Sequence, residues 1–477
     1  MNSFKNITKI GLLLLVMLSF LSCSKSFLEI EPRGKLISRS FKDYDLLFNN
    51  LNVLNTDVNT NVPMGDEVIM LEPYAASADI RTQRLFRWED VIYEPNENSR
   101  ELAVLMLQLY TYNKIANEVL DVQDGTKADR EALQAEARAN RVWSNFMLVN
   151  YYSKPYLAAT AGQDLGFPIV TTSDVTTSSF TRPSVQENYD FMLKELQESI
   201  PLIPKNPVVR ARLSRAAAKG LLGKLYVFMG KYDLAITAFN DALSDLPTNF
   251  ATELIDYNIT TAPGGGWISN PNTIISGMPA GWINTENLLV KQFSNGFTGS
   301  FNYLLVGPRT FSLYNSDDRR LFFFSSFANG GTALLPGIKR RNGPSQGQFG
   351  LILPDIYLLR AEAKARTNDI AGAIQDLETL RKKRMPANSA TVSITQKDEL
   401  IRFIIDERIR EFAVLGYRWL DMRRLSTDPL FQNITYKHQL YDASGEVKSE
   451  YTLRPERMVL RFPDRVMLEN PSMPNNP

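Results

Sequence analysis

The chain has 477 residues, with 53 Lys and Arg against 52 Asp and Glu, one Cys and one His, and these numbers exclude several chemistries. One cysteine leaves no disulfide framework and no thiolate metal site; one histidine, His438, cannot build the usual imidazole zinc site and leaves any Ser-His-Asp triad resting on a single residue. Near-neutral charge without a basic stripe gives no electrostatic case for nucleic acid, and the length predicts two or three lobes.

The N-terminus reads as an export signal. Lys5 and Lys9 precede an almost wholly apolar run from Ile10 to Leu21, then small Ser22 and Cys23. That run is shorter than the roughly 20 apolar residues a membrane span needs, and it suits a cleaved signal peptide over 1–22. A thiol directly after the cut is what lipoprotein processing requires, so Cys23 is expected to carry the lipid. Residues 23–40 are the expected tether, and no later run is apolar enough to span a bilayer.

A helical region is expected over 41–250. Leu102, Leu105, Leu109, Ile115 and Val119 recur at helical spacing. Asp124-Gly125 breaks that helix, and a second runs from about Ala128 to Tyr152. Ser184-Val-Gln-Glu187 is a capping box that opens a helix closed by Pro201 and Pro204. Helices then follow over Arg212–Met229 and Tyr232–Leu246. Within them Leu222, Gly223, Tyr226, Ala235, Phe239 and Pro247 match the spacing of a tetratricopeptide unit, with Gly230 at the turn. A looser copy covers Ile356–Arg384, with Tyr357, Ala361, Ala373 and Leu377, and a last long helix covers about Lys397–Leu415. The fold class is therefore mainly α: about four tetratricopeptide-like helix pairs forming a scaffold. Residues 251–350 interrupt it with a Gly-, Pro- and Asn-rich stretch carrying little strand. A loop this long is functional or disordered, and this one is too aromatic for disorder. Residues 351–477 complete the scaffold. His438 follows Tyr436 and Lys437 in a polar stretch and reads as a surface residue.

Near the C-terminal end stands Asp406-Glu-Arg-Ile-Arg-Glu-Phe-Ala-Val-Leu-Gly-Tyr-Arg-Trp-Leu-Asp-Met-Arg-Arg424. This resembles the signature of the SusD/RagB family of nutrient-binding outer-membrane lipoproteins. It matches at Glu407, Arg408, Glu411, Gly416, Arg418, Trp419, Asp421, Arg423 and Arg424, and departs at Leu415 and Met422. Ala135-Glu-Ala-Arg138, Gly166-Phe-Pro168, Arg182-Pro-Ser184 and Leu358-Leu-Arg-Ala-Glu-Ala363 follow the family's order, so the resemblance spans nearly the whole chain. Taken by themselves, the signature's alternating charges read as ion pairs tying helices together, and Trp419 reads as a core residue.

The resemblance implies a surface site for an oligosaccharide, an outward-facing place on the outer membrane and a TonB-dependent transporter as partner. Sugar rings stack on exposed aromatic planes, and their hydroxyls need Asp, Asn, Gln or Arg at the edges. Two stretches offer such residues: Asp66, Tyr74, Asp79, Arg81, Trp88, Tyr93 and Asn96 before the first long helix, then Trp267, Asn270, Trp282, Asn284 and Tyr303 in the irregular segment. Trp88 and Trp267 lead this set. No cofactor, metal or catalytic residue is expected, since any pair among 52 carboxylates could be offered as a glycosidase dyad and none is singled out. Peptide capture, a glycosidase and a protein-binding scaffold are the other readings.

Overall fold

The computed structural model describes residues 38–477 apart from 57, 177 and 178, so the signal segment, Cys23 and most of the expected tether lie outside the described residues. Two short helices, α1 (Phe41–Leu47) and β1-flanking α2 (Ile80–Phe86), precede the scaffold, with strand β1 (Val68–Leu71) between them. The scaffold then runs α3 (Arg100–Glu118), α4 (Lys127–Tyr152), α5 (Val185–Ser199), α6 (Arg215–Phe228) and α7 (Tyr232–Ser244). It resumes after the insertion as α8 (Leu353–Arg366), α9 (Ile370–Arg381), α10 (Lys397–Phe412) and α11 (Tyr417–Leu425).

Four of the scaffold N-termini share a local cause. Ser99, Thr126, Ser184 and Ser214 accept from the backbone N–H three residues on, and Thr126–Asp129 and Ser184–Glu187 close reciprocal capping boxes. The helices pack in antiparallel pairs, α3 on α4 and α6 on α7, then α8 on α9, while α8 also packs on α7 and α10. The tetratricopeptide spacing explains the closeness of α6 and α7. A Cβ on Gly223 would come within 2.7 Å of the Phe239 ring, and Ala235, Phe239 and Ala242 are fully buried between the helices. Gly230 makes the turn at φ +70°, and Asn368 does the same at φ +70° between α8 and α9.

The insertion is not a separate lobe. Its strand β2 (Leu305–Val306) pairs antiparallel with β1, and β1 pairs parallel with β3 (Lys437–Tyr441), which pairs with β4 (Val447–Thr452); the sheet order is β4-β3-β1-β2. Three further ribbons join Asn287–Leu289 to Leu351–Ile352, Gln292–Ser294 to Gln346–Gln348, and Phe324–Ser325 to Arg340–Arg341. Residues far apart in sequence are thus paired across the supposed boundaries, and Ser40–Pro477 forms one compact unit in place of the expected two or three lobes.

The Glu407–Arg424 signature lies inside that unit as a charge network. Glu407 accepts from Arg320 at 2.7 Å, Arg381 at 2.6 Å and Arg410 at 2.8 Å. Arg384 and Arg320 hold Glu411, and Arg408 bridges Asp355 and Asp421 at 2.8 and 2.7 Å. Gly416 begins α11 at φ +84°, and Trp419 is fully buried. The motif is internal masonry, as its alternating charges suggest.

Candidate functional site

His438 corrects the surface reading. It is fully buried, its ring sandwiched 4.3 Å from Phe86 and 3.9 Å from Trp88, with both ring nitrogens within 2.7 Å of the Phe86 and Gly65 carbonyl oxygens. Burial lowers its pKa to about 4.

Most of the first candidate stretch serves the same interior. Trp88 is buried, and its Nε1 donates to the Met64 carbonyl at 3.1 Å, so neither ring face meets solvent. Arg81 is buried and paired with Glu101 at 3.0 Å, while Glu101 also takes hydrogen bonds from Tyr93 and Tyr152. Asp66 is buried against Arg418 at 2.5 Å; burial raises its carboxyl, but Arg418 and then Arg309 hold it below the ordinary range. Tyr74 is half-buried beside Ile69, Leu71 and Leu305, and Asn96 is exposed at φ +68°. In the second stretch Trp267 is buried edge-on to Tyr257 at 5.1 Å and beside Phe323. Asn284 is half-buried and accepts from the Glu286 N–H. The buried side chains among these, Trp88 and Trp267 foremost, are committed to packing.

Open aromatic surface lies elsewhere in the insertion. Phe301 is 44% exposed and stacks on Tyr303, centroids 4.9 Å apart and planes at 19°. Tyr303 is itself buried, so it acts as a backing plate; burial raises its hydroxyl to about 12, with the Asp79 charge adding to the effect. Asp79 is exposed at the N-cap of α2, where it accepts from Thr82 N at 3.0 Å.

Around Phe301 three loops meet. Asn329 N donates to Asn302 Oδ1 at 2.6 Å, Asn302 Nδ2 donates back to the Asn329 carbonyl at 3.2 Å, and Gly330 N donates to the Asn272 carbonyl. Beneath them the fully buried Arg340 guanidinium donates to four carbonyls: Phe327 at 3.1 Å, Gly299 at 3.3 Å, Pro271 at 3.2 Å and Thr273 at 3.0 Å. One cation thus fastens loops 270–274, 299–303 and 327–330. Their outer surface carries exposed Asn270, Asn272 and Phe327 with half-buried Asn302 and Asn329. Of the residues singled out by sequence, Asn270 lies on this surface and Tyr303 is buried beneath it, with the Asp79 charge near enough to act on the Tyr303 hydroxyl. Phe301, Asn272, Asn302, Phe327 and Asn329 are additions, and the alternating aromatics and amides of Ser300-Phe-Asn302 and Phe327-Ala-Asn329 could have pointed to them.

Trp282 is a further open aromatic of the insertion, 46% exposed on a turn that follows Gly281. Among the described residues, no group of three or more His, Cys, Asp or Glu could hold a metal ion, and no helix is long and apolar enough to cross a membrane.

Comparison with known proteins agrees with this frame. The model of the SusD family matches residues 339–477, and a second, described as starch-binding associating with outer membrane, matches 27–227. The chain belongs to the SusD/RagB family. A relative from Formosa agariphila, SusD-like protein P38, is 25% identical, with 89% of this chain and 92% of that protein covered. Solved SusD-type structures share the fold at low identity. A SusD superfamily protein from Bacteroides fragilis has a TM-score of 0.71 at 16% identity, covering 92% of this chain and 100% of that one. A putative sugar binding protein from Bacteroides vulgatus has 0.69 at 19%, covering 93% and 99%. A laminarin binding SusD-like protein has 0.64 at 15%, covering 92% and 100%. Within a SusD/RagB chain the signature is therefore part of the frame.

Proposed function

We propose that this protein captures glycans at the outer face of the outer membrane and hands them to a TonB-dependent transporter, tethered by lipid on Cys23. The observation that carries the binding role is the exposed Phe301 ring, stacked on Tyr303 and rimmed by Asn272, Asn302 and Asn329. An apolar ring face beside amides meets the two needs of a sugar, a plane for its C–H face and partners for its hydroxyls. The sugar-binding and laminarin-binding descriptions of structural relatives support the ligand class, and the description of the second family model supports the location. The reading is binding without turnover, and it calls on no pair of carboxylates about 5 to 9 Å apart of the kind a glycosidase uses.

Calorimetric titration with starch- and laminarin-derived oligosaccharides, and with peptides of matched length, tests this. Binding of a glycan, with no product formed in the same samples, is the expected result. Phe301→Ala should weaken it about tenfold, the order of a truncated aromatic anchor, without moving the unfolding midpoint. Binding of peptides alone, or appearance of cleaved sugar, would overturn the reading.

A further inference from the structure

Phe301 and Trp282 stand at opposite ends of one ribbon. In the pairing of Gln292–Ser294 with Gln346–Gln348, Gln292 faces Gln348 and Ser294 faces Gln346. Side chains alternate along a strand, so these four share one face. Phe293 and Gly347 take the other, with the buried Phe293 ring against Gly347 on the core side. The polar face looks outward toward its Ser294 end: Ser294 is exposed and Gln346 and Gln348 are half-buried, whereas Gln292 is buried under the Gly281 turn.

A glycine at each end brings one of the two aromatics to this ribbon. Gly281, directly before Trp282, lies over the amides: a Cβ there would sit 2.7 Å from Gln292 Oε1 and 2.6 Å from Gln348 Oε1. The bare glycine lets the turn lie close on these amides, which sets Trp282 in the chain at the Gln292 end. At the other end Gly296, two residues past Ser294, has the Phe301 ring where its Cβ would be. From Gln292 to Ser294 the strand advances about 7 Å, and the chain then turns at Gly296. Asn287 Nδ2 donates to Gln348 Oε1 at 2.9 Å and to the Gly281 carbonyl at 2.8 Å, which fixes the Trp282 turn against the ribbon.

We infer that this ribbon is the floor of a glycan groove, with Trp282 as a second sugar-stacking site at its far end from Phe301. The inference rests on the glycan reading above and narrows it to an extended chain several sugars long. A single ring or a disaccharide would occupy the Phe301 end only. A longer chain would lay its hydroxyls over Ser294, Gln346 and Gln348 and reach Trp282. An isolated exposed tryptophan would make no such demand on ligand length.

The test is affinity against chain length, using laminarin- and starch-derived oligosaccharides from disaccharide to heptasaccharide with the full mature chain. Wild-type affinity should climb with length and then level off. Trp282→Ala should cost about tenfold for the heptasaccharide and nothing measurable for the disaccharide; Phe301→Ala should weaken both. Ser294→Arg, on an exposed position, should block the middle of the floor and mimic Trp282→Ala, with unchanged circular dichroism showing that both variants fold. If Trp282→Ala and Ser294→Arg leave heptasaccharide affinity intact while Phe301→Ala abolishes it, the groove is wrong and the Phe301 platform stands. If no glycan binds the wild type at any length, the glycan reading falls and the groove with it.

Discussion

Glu67 is buried next to Asp66, and burial followed by that neighbouring charge raises its carboxyl to about 8. The unfolded chain would release this proton near the ordinary carboxylate value of 4.5. Between those two values the folded state binds more protons than the unfolded, so stability falls as pH rises through the window. Glu67→Gln keeps the acceptor that Glu67 Oε1 offers to Val414 N and removes the titration. Its urea midpoint should therefore exceed that of the wild type at pH 8 and approach it at pH 5. An equal gap at both pH values would show that Glu67 stays charged in the fold. Single residues were the least legible scale in the sequence. Lys437 and Tyr436 gave no sign that His438 slots between Phe86 and Trp88, because that sandwich joins positions about 350 apart. The aromatics chosen for their loop setting, Trp88 and Trp267, are the ones the fold buries, and Phe301 shows its face because Tyr303 already fills the space behind it.

Helices were legible nearly to their ends, because caps and periodicity act within a few residues. The Ser184–Glu187 box, the Gly230 turn and the alanines facing across α6 and α7 all stand where their spacing placed them. Gly223→Ala tests the logic of that pair. Its added methyl would sit 2.7 Å from Phe239, a ring buried on all sides, so it should destabilise by about 1–3 kcal/mol, the usual range for overpacking. A lowered thermal midpoint with unchanged glycan affinity is the expected outcome, and an unchanged midpoint would mean that the two helices can part freely. The ribbons were not legible. Strands of two or three residues carry no period long enough to read, and their partners come from distant stretches, as with β1 and β3.

At the scale of the molecule, charge inside the protein ties insertion to scaffold. Arg320 comes from the insertion and Arg381 from α9, and both converge on Glu407 of α10. Glu407→Ala would leave these and Arg410 facing one another without their shared carboxylate. Breaking a buried pair in this way costs about 3–5 kcal/mol, read as a fall in the denaturation midpoint; a loss below 1 kcal/mol would show that the arginines find other partners. The frame is thus rigid where the signature lies, whereas the loops over it depend on a different fastening. Arg340 grips only main-chain oxygens, and a carbonyl is the same whichever side chain rides above it. Aromatics on the three loops can therefore be exchanged while this clasp stays the same, whereas Asn302 and Asn329 also tie their two loops together through their side chains. On the glycan reading proposed above, a shift of preferred sugar then asks for a few surface substitutions and no new support beneath them.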